Sequence, residues 1–441
     1  LQVSKFNTSL ILKLFIPQKM KTLIRSAKII CKTSAFHGMV KDIFIENGII
    51  RKIGDVLKVE ANEIIESEDL HVSVGWFDMR VHAKEPGFEY KESLESMELT
   101  ALAGGFTEIA LLPNTQPVVQ TRESVNYLKR SGEKVKFHPM AAVTVKCEGK
   151  DFTEMIDLHQ AGAVAFTDGE QAIQNPDIFL KSLQYLTQFG GLLISRPEDI
   201  NLTHFGQMHD GYMSTYLGMK GMPQMAEEIM LMRDVKLLQY VMETPFIEGF
   251  TNKSILHFSC ISSLETVNLI RMAKEMELPI SCDVAAHQLC FTENDLIDFD
   301  SNFKVNPPFR TQEDVEALWE GLADGTIDVI VSDHNPQDEE SKKLEFDMAE
   351  FGIIGLETVF AAVNTYNKSL SLDDLIEKLT DNPRKILRLR SPEIAEGAKV
   401  NLTIFSASEE WVYEEKNIVS KSKNSPFIGK TLKGRVITVM V

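Results

Sequence analysis

The sequence predicts an α/β fold: a (β/α)8 TIM-like barrel carrying a small β-sandwich domain made from both chain ends. Three observations predict it. A length of 441 residues suits a large barrel with a satellite and exceeds one small domain. Over residues 71–394 short apolar runs alternate with helix-patterned segments, which implies a parallel sheet. Both ends read instead as strands separated by turns.

Taken in order, residues 1–19 form an N-terminal extension expected to pack loosely. Their apolar run is interrupted by Lys13 and lacks a small-residue cleavage site, and Met20 is a more natural start. Residues 20–70 hold short apolar runs around Asn47-Gly48, a strong hairpin signal. Residues 395–441 read the same way, so the two ends are expected to complete one β domain. Between them, strand candidates lie at 108–112, 163–166, 192–195, 254–258, 280–284 and 329–332, with helical segments at 264–274 and 311–322. In a barrel, polar residues at strand C-terminal ends carry chemistry. Here those ends supply Arg80, His82, Asn114, Asp168, Arg196, Cys260 and Asp333.

A net charge of −18 argues against a broad basic face for nucleic acid. The five cysteines include no CxxC pair, which reads as reduced thiols in a cytoplasmic protein. No apolar run reaches the roughly 18 residues a membrane helix needs. No nucleic-acid or membrane partner is expected.

Several ordered motifs resemble those of dihydroorotases, members of the amidohydrolase superfamily. Asp78-Met79-Arg80-Val81-His82-Ala83-Lys84-Glu85-Pro86-Gly87 is similar to the family's Asp-x-His-x-His-x-Arg-x-Pro-Gly signature, and Pro113-Asn114-Thr115-Gln116-Pro117 to its Pro-Asn-Thr-x-Pro loop. Gly221-Met222-Pro223, Asn306-Pro307-Pro308 and Gly355-Leu356-Glu357-Thr358 extend the resemblance across residues 22–405. It implies an amidohydrolase-type barrel, a binuclear zinc site that activates a hydroxide, and an Asp that shuttles the proton.

The metal positions depart from that pattern. Arg80 stands for the first His of the signature, Arg196 for a His of a His-x-Glu-Asp segment, and Cys260 for a further His; His82, Asp168 and Asp333 keep their type. Arginine has no free lone pair and cannot ligate zinc. The resemblance makes Asp333 the old proton-shuttle position. It makes Lys84, Asn114, Asn306 and Gln337 the substrate contacts, with Lys84 replacing an Arg clamp and Gln337 a His. If one zinc is retained, His82, Asp168, Cys260 and Asp333 are its expected ligands; two zincs are not expected. Outside the motif, His82 would read as a core histidine, Cys260 as a small buried hydrophobe and Asp333 as a cap. Glu198 and Asp199 read as a solvated turn or helix start.

Arg80 and Arg196 have a physical rationale as metal replacements. Without metals, buried Asp168 and Asp333 would lack counterions, and an unpaired buried charge costs about 3–5 kcal/mol. At least one arginine is therefore expected to pair with Asp168 or Asp333. Three functions compete. The first is a non-catalytic homologue of pyrimidine biosynthesis, homo-oligomeric and partnered with aspartate carbamoyltransferase. The second is an active cyclic amidase with one metal, converting dihydroorotate to N-carbamoyl-aspartate. The third is a hydantoinase or dihydropyrimidinase relative.

Overall fold

The computed structural model describes residues 21–243 and 253–441, so the expected extension at 1–19 lies outside the described residues. Strand β1 (Lys21–Ile29) pairs antiparallel with β2 (Val40–Glu46), which turns at Asn47 and Gly48 into β3 (Ile49–Gly54). Both turn residues take positive φ, 54° and 70°, as an Asn-Gly hairpin requires. Short β4 (Glu63–Ile65) and β5 (His71–Val74) pair parallel with β1.

The barrel begins at β6 (Trp76–Val81). Helix α1 (Leu94–Ala103) leads to β7 (Phe106–Leu111), and α2 (Arg122–Ser131) to β8 (Lys136–Pro139), giving the parallel arc β6-β7-β8. Helix α3 (Pro176–Thr187) starts on the Asn175 cap with Pro176 in its first turn. It precedes β9 (Leu193–Ser195) and a small excursion, β10 (Met208–His209) and β11 (Gly221–Met222). Then come α4 (Met225–Met242), β12 (Leu256–Phe258), α5 (Leu264–Glu275), β13 (Ile280–Ala285), α6 (Gln312–Asp324) and β14 (Val329–Val331). Ser263 and Thr311 start α5 and α6 by accepting from the Thr266 and Asp314 amides.

Strands β9, β12, β13 and β14 form a second parallel arc in the order β14-β13-β12-β9. Phe166 bridges Ala141 and Leu193, and His334 bridges Val81, so single bridges link the arcs into eight parallel positions. The candidate strand at 163–166 contributes only the two bridges of Phe166. Inside the ring Phe77, Met79, Ala110, Met140, Ile194, Val329 and Val331 pack as one cluster, the filled interior expected of such a barrel.

Strands β15 (Leu402–Val412) and β16 (Thr431–Met440) return to the N-terminal module in the order β16-β15-β5-β1-β2-β3, with β4 off β1. Both ends thus share one continuously paired seven-stranded sheet, rather than two separately paired layers. Two expected boundaries shift. Strand β5, placed in the barrel by the 70/71 division, belongs to the sheet. Residues 413–430, placed in the β domain, run back over the barrel loops: Asn424 Nδ2 donates to the Asn335 and Gly352 carbonyls at 3.1 and 3.0 Å. Among the described residues no helix is long and apolar enough to cross a membrane.

Candidate active site

The pairing of β6 with β7 is irregular between Asp78 and Val81, a local bulge that re-aims the end of the strand. There Arg80 and His82 enter the barrel mouth, both buried. Arg80 Nε lies 2.7 Å from Asp333 Oδ1 and its Nη2 2.9 Å from Glu170 Oε1, while Nη1 donates to Ser259 Oγ at 3.4 Å. His82 Nε2 sits 3.3 Å from the same two carboxylate oxygens. Asp333 holds a positive φ of 46°, left-handed backbone that a non-glycine residue adopts at a cost of about 1–2 kcal/mol.

Charge decides the protonation states here. Burial would raise the pKa of Asp333, but Arg80 and His82 outweigh it and hold the carboxyl well below the usual range. Glu170 is lowered in the same way: burial opposes ionisation, while His82, Arg196 and Arg80 favour it. Burial pushes His82 down, towards the neutral imidazole, against the pull of Glu170 and Asp333.

Of the two arginines expected at the mouth, Arg80 alone pairs with Asp333, and Arg196 makes a different contact. Its Nη1 pairs with Glu198 Oε2 at 2.9 Å and donates to the Glu170 carbonyl at 3.1 Å, so it reaches neither Asp168 nor Asp333. Asp168 is turned away from the mouth. Its carboxylate accepts from the Val143 and Thr144 amides at 3.0 and 2.9 Å and from Thr144 Oγ1 at 2.5 Å. Burial nevertheless raises its pKa to about 6. Glu170 takes the place in the mouth that Asp168 was expected to fill. The signal was available as a second carboxylate two residues on, in Asp168-Gly169-Glu170, but which one faces the mouth depends on the turn. Gly169 makes that turn at φ 65°, and a Cβ there would fall 1.7 Å from Asn114 Oδ1.

The other expected site residues are engaged with protein. Lys84 Nζ donates to Asn335 Oδ1 at 2.6 Å, and burial lowers its pKa to about 8. Asn114 Nδ2 donates to the Asp168 carbonyl at 3.0 Å and its Oδ1 accepts from the Glu170 amide at 3.2 Å, so it shapes the turn that aims Glu170. Gln337 Nε2 donates to the Phe351 carbonyl at 2.8 Å and its Oε1 accepts from Lys91 at 2.5 Å. Asn306 Nδ2 donates to Glu198 Oε2 at 3.2 Å. Glu198 is no solvated turn: it gathers Arg196, Asn306 and Thr203 Oγ1, the last at 2.6 Å. Asp199 does start a helix, accepting from the Asn201 amide. The cavity that Arg196, Glu198, Cys260, Asn306 and Arg310 line measures about 10 Å³, room for about one water. Cys260 is buried, and burial raises its thiol pKa well above the ordinary value, which favours the protonated form.

Comparison with known proteins agrees with the motifs. Residues 71–243 match the family described as dihydro-orotase-like, and residues 255–441 match the amidohydrolase family. The dihydroorotase of Caldicellulosiruptor saccharolyticus is 39% identical over 428 residues, covering 95% of this chain and 96% of its own. That of Acetivibrio thermocellus is 36% identical over 425 residues, covering 95% and 97%. The chain belongs to the dihydroorotase family. In fold, this dihydroorotase-family chain is similar to the L-hydantoinase (dihydropyrimidinase) of Arthrobacter aurescens, with a TM-score of 0.81, 22% identity and coverage of 96% and 95%. The dihydropyrimidinase of Brevibacillus agri NCHU1002 gives 0.78 at 16% identity, covering 95% and 93%.

Amidohydrolases typically use metal ions, which sets a test for the mouth residues. His82, Glu170 and Asp333 offer ligand atoms within 4.8 Å of one another, a donor set compatible with one ion. Asp168 and Cys260, expected as ligands, are outside that set. The same two oxygens already meet the Arg80 guanidinium, so one ion binds only in competition with Arg80. Among the described residues no further group of three such donors is found beside it: Arg80 and Arg196 occupy the His positions of the pattern, and His257 Nε2 is committed to Asp283 Oδ2 at 2.8 Å.

Proposed function

We propose that this dihydroorotase-family chain of pyrimidine biosynthesis is non-catalytic and serves as a structural or regulatory partner of aspartate carbamoyltransferase. The observation that carries the loss of catalysis is the Arg80 guanidinium spanning Asp333 and Glu170 at 2.7 and 2.9 Å. Hydrolysing a cyclic amide near neutral pH needs a hydroxide, which metal coordination supplies by lowering the water pKa from about 15.7 to about 7. A guanidinium offers no empty orbital for that step. Asp333, at the proton-shuttle position, is held ionised and weakly basic by the same arginine, so it takes up a proton poorly. The occupied side chains at Lys84, Asn306 and Gln337 and the small cavity beside Arg196 support the same reading.

The partner rests on family resemblance. Its test is co-purification with aspartate carbamoyltransferase and the transferase's assembly state with and without this chain; an unchanged transferase sinks that part. For activity, elemental analysis of the purified chain is paired with a dihydroorotate turnover assay in zinc-containing buffer. The expected result is far less than one ion per chain and turnover at background. A second reading, an amidase with one metal, is favoured by the His82, Glu170 and Asp333 donor set. One tightly bound ion with robust turnover would establish it.

A further inference from the structure

Glu357 belongs to a sequence motif that the barrel mouth leaves unused, and it lines a cavity of about 290 Å³ that none of the mouth residues reaches. The cavity sits at the seam between barrel and sheet, where helix α7 (Val359–Tyr366) packs on β16. The pairing of β15 with β16 is irregular between Ser406 and Glu410, a bulge that bends the strand where Glu409 and Trp411 form one wall. Gly434 forms another wall. At φ 98° it lets α7 approach so closely that a Cβ there would lie 2.7 Å from the Phe360 ring.

The charges of the lining do not cancel. Glu409 pairs with Arg435 at 2.8 Å, and the same guanidinium lies over the Trp411 ring at 5.4 Å. Half-buried Glu357 has no such partner. Its Oε1 accepts from the Val419 and Ser420 amides at 3.1 and 3.0 Å and its Oε2 from the Val419 amide at 3.0 Å, while no cation pairs with it among the described residues. Lys423, whose charge reaches it, donates instead to the Ile418 and Ser420 carbonyls at 3.0 and 2.9 Å. A carboxylate offers about four acceptor sites, so Oε2 keeps capacity for a further donor.

We propose that this cavity binds a small organic amine as its ammonium, with the positive head on Glu357 and the carbon body against Phe360, Trp411 and Val419. Two carboxylates against one guanidinium select a cation over an anion. The two rings favour an aromatic body, and the volume falls near the lower end of the roughly 300–1,000 Å³ of small-molecule sites. The same carboxylate supplies a pH signature. Burial pushes Glu357 up to about 7 and Glu92 adds to the rise, against the Ser420 and Val419 amides and Lys423. Tyr413, which also faces it, is held well above its ordinary value by burial and by Glu357 and stays neutral. Only the ionised carboxyl pairs with an ammonium, so binding expels the proton wherever Glu357 still holds one.

Isothermal calorimetry of the full chain with phenethylamine as the probe is expected to show one site with a Kd of about 1 mM or tighter. At pH 7 about half a proton should leave per amine bound, read from the difference between phosphate and Tris buffers. Affinity should fall about tenfold from pH 8 to pH 6, as the ionised share of Glu357 drops from about nine-tenths to about one-tenth. The uncharged isostere 2-phenylethanol should bind at least about tenfold more weakly. Glu357→Gln keeps an acceptor for the Val419 and Ser420 amides and should lower amine affinity at least about tenfold, with unchanged circular dichroism. Equal affinity for alcohol and amine, a flat pH profile, or an unchanged Glu357→Gln variant would overturn the proposal. So would a parent chain that binds no amine up to about 10 mM. If the variant misfolds, the parent's proton release and pH profile decide.

Discussion

Replacing Arg80 with Met removes the positive charge at the barrel mouth while keeping most of the side-chain volume. The Arg80 side chain is 2% exposed and that of Asp333 10%, so the pair is nearly dry. Removing one member of such a pair costs about 3–5 kcal/mol, chiefly because the remaining charge is left buried. The contact to Glu170 adds at most about 1 kcal/mol, since that carboxylate is 30% exposed and screened by water. The sign with pH follows from Asp333. In the parent its folded pKa is depressed, so its contribution to stability is present above the unfolded value and is lost only on strong acidification. In Arg80→Met burial is opposed only by the weaker pull of His82 and His287, and the Asp333 pKa rises well above its unfolded value. Protonation then relieves the penalty as the solution is acidified, by up to about 1.4 kcal/mol for each pH step of one. Urea unfolding followed by tryptophan fluorescence suits the measurement, because Trp76 and Trp319 are buried. The expected loss is about 3–5 kcal/mol at pH 8, shrinking by at least about 1 kcal/mol at pH 5.5. A loss below about 1 kcal/mol at pH 8, or one equal at both pH values, refutes the claim that Arg80 neutralises a buried carboxylate.

Arg80→His should raise zinc uptake, read by equilibrium dialysis, because it frees the Asp333 and Glu170 oxygens beside His82. Adding Arg196→His should contribute little more, since Arg196 is held by Glu198; a large further gain would show that Arg196 also guards the site. Within the Arg80→His background, Glu170→Gln should lower zinc affinity by tenfold or more, while Asp168→Asn should leave it within about twofold, because the Asp168 carboxylate faces the Val143 and Thr144 amides. Asp168→Asn should instead destabilise the fold by about 1–3 kcal/mol, measured by thermal unfolding, through a lost amide acceptor.

The sequence by itself determined the barrel, the joining of both chain ends in one β domain and the place of Arg80, His82 and Asp333 at strand ends. Strand alternation, the Asn47-Gly48 turn and the motif order are local signals, and local periodicity survives folding. It also determined that Arg80 accompanies His82 into the mouth, through their i, i+2 spacing near the end of β6. Only the tertiary structure decided which carboxylates the arginines meet. Asp168 and Glu170 are two residues apart, but the left-handed turn at Gly169, packed on Asn114, sends one to the Val143 and Thr144 amides and the other to Arg80. Arg196 is likewise claimed by Glu198, a residue its sequence context presented as solvated. The physical reason is that a buried ionic partner is chosen by proximity and desolvation among groups far apart in the chain. Arg80 and Asp333 are separated by 253 positions, and no local pattern encodes that distance.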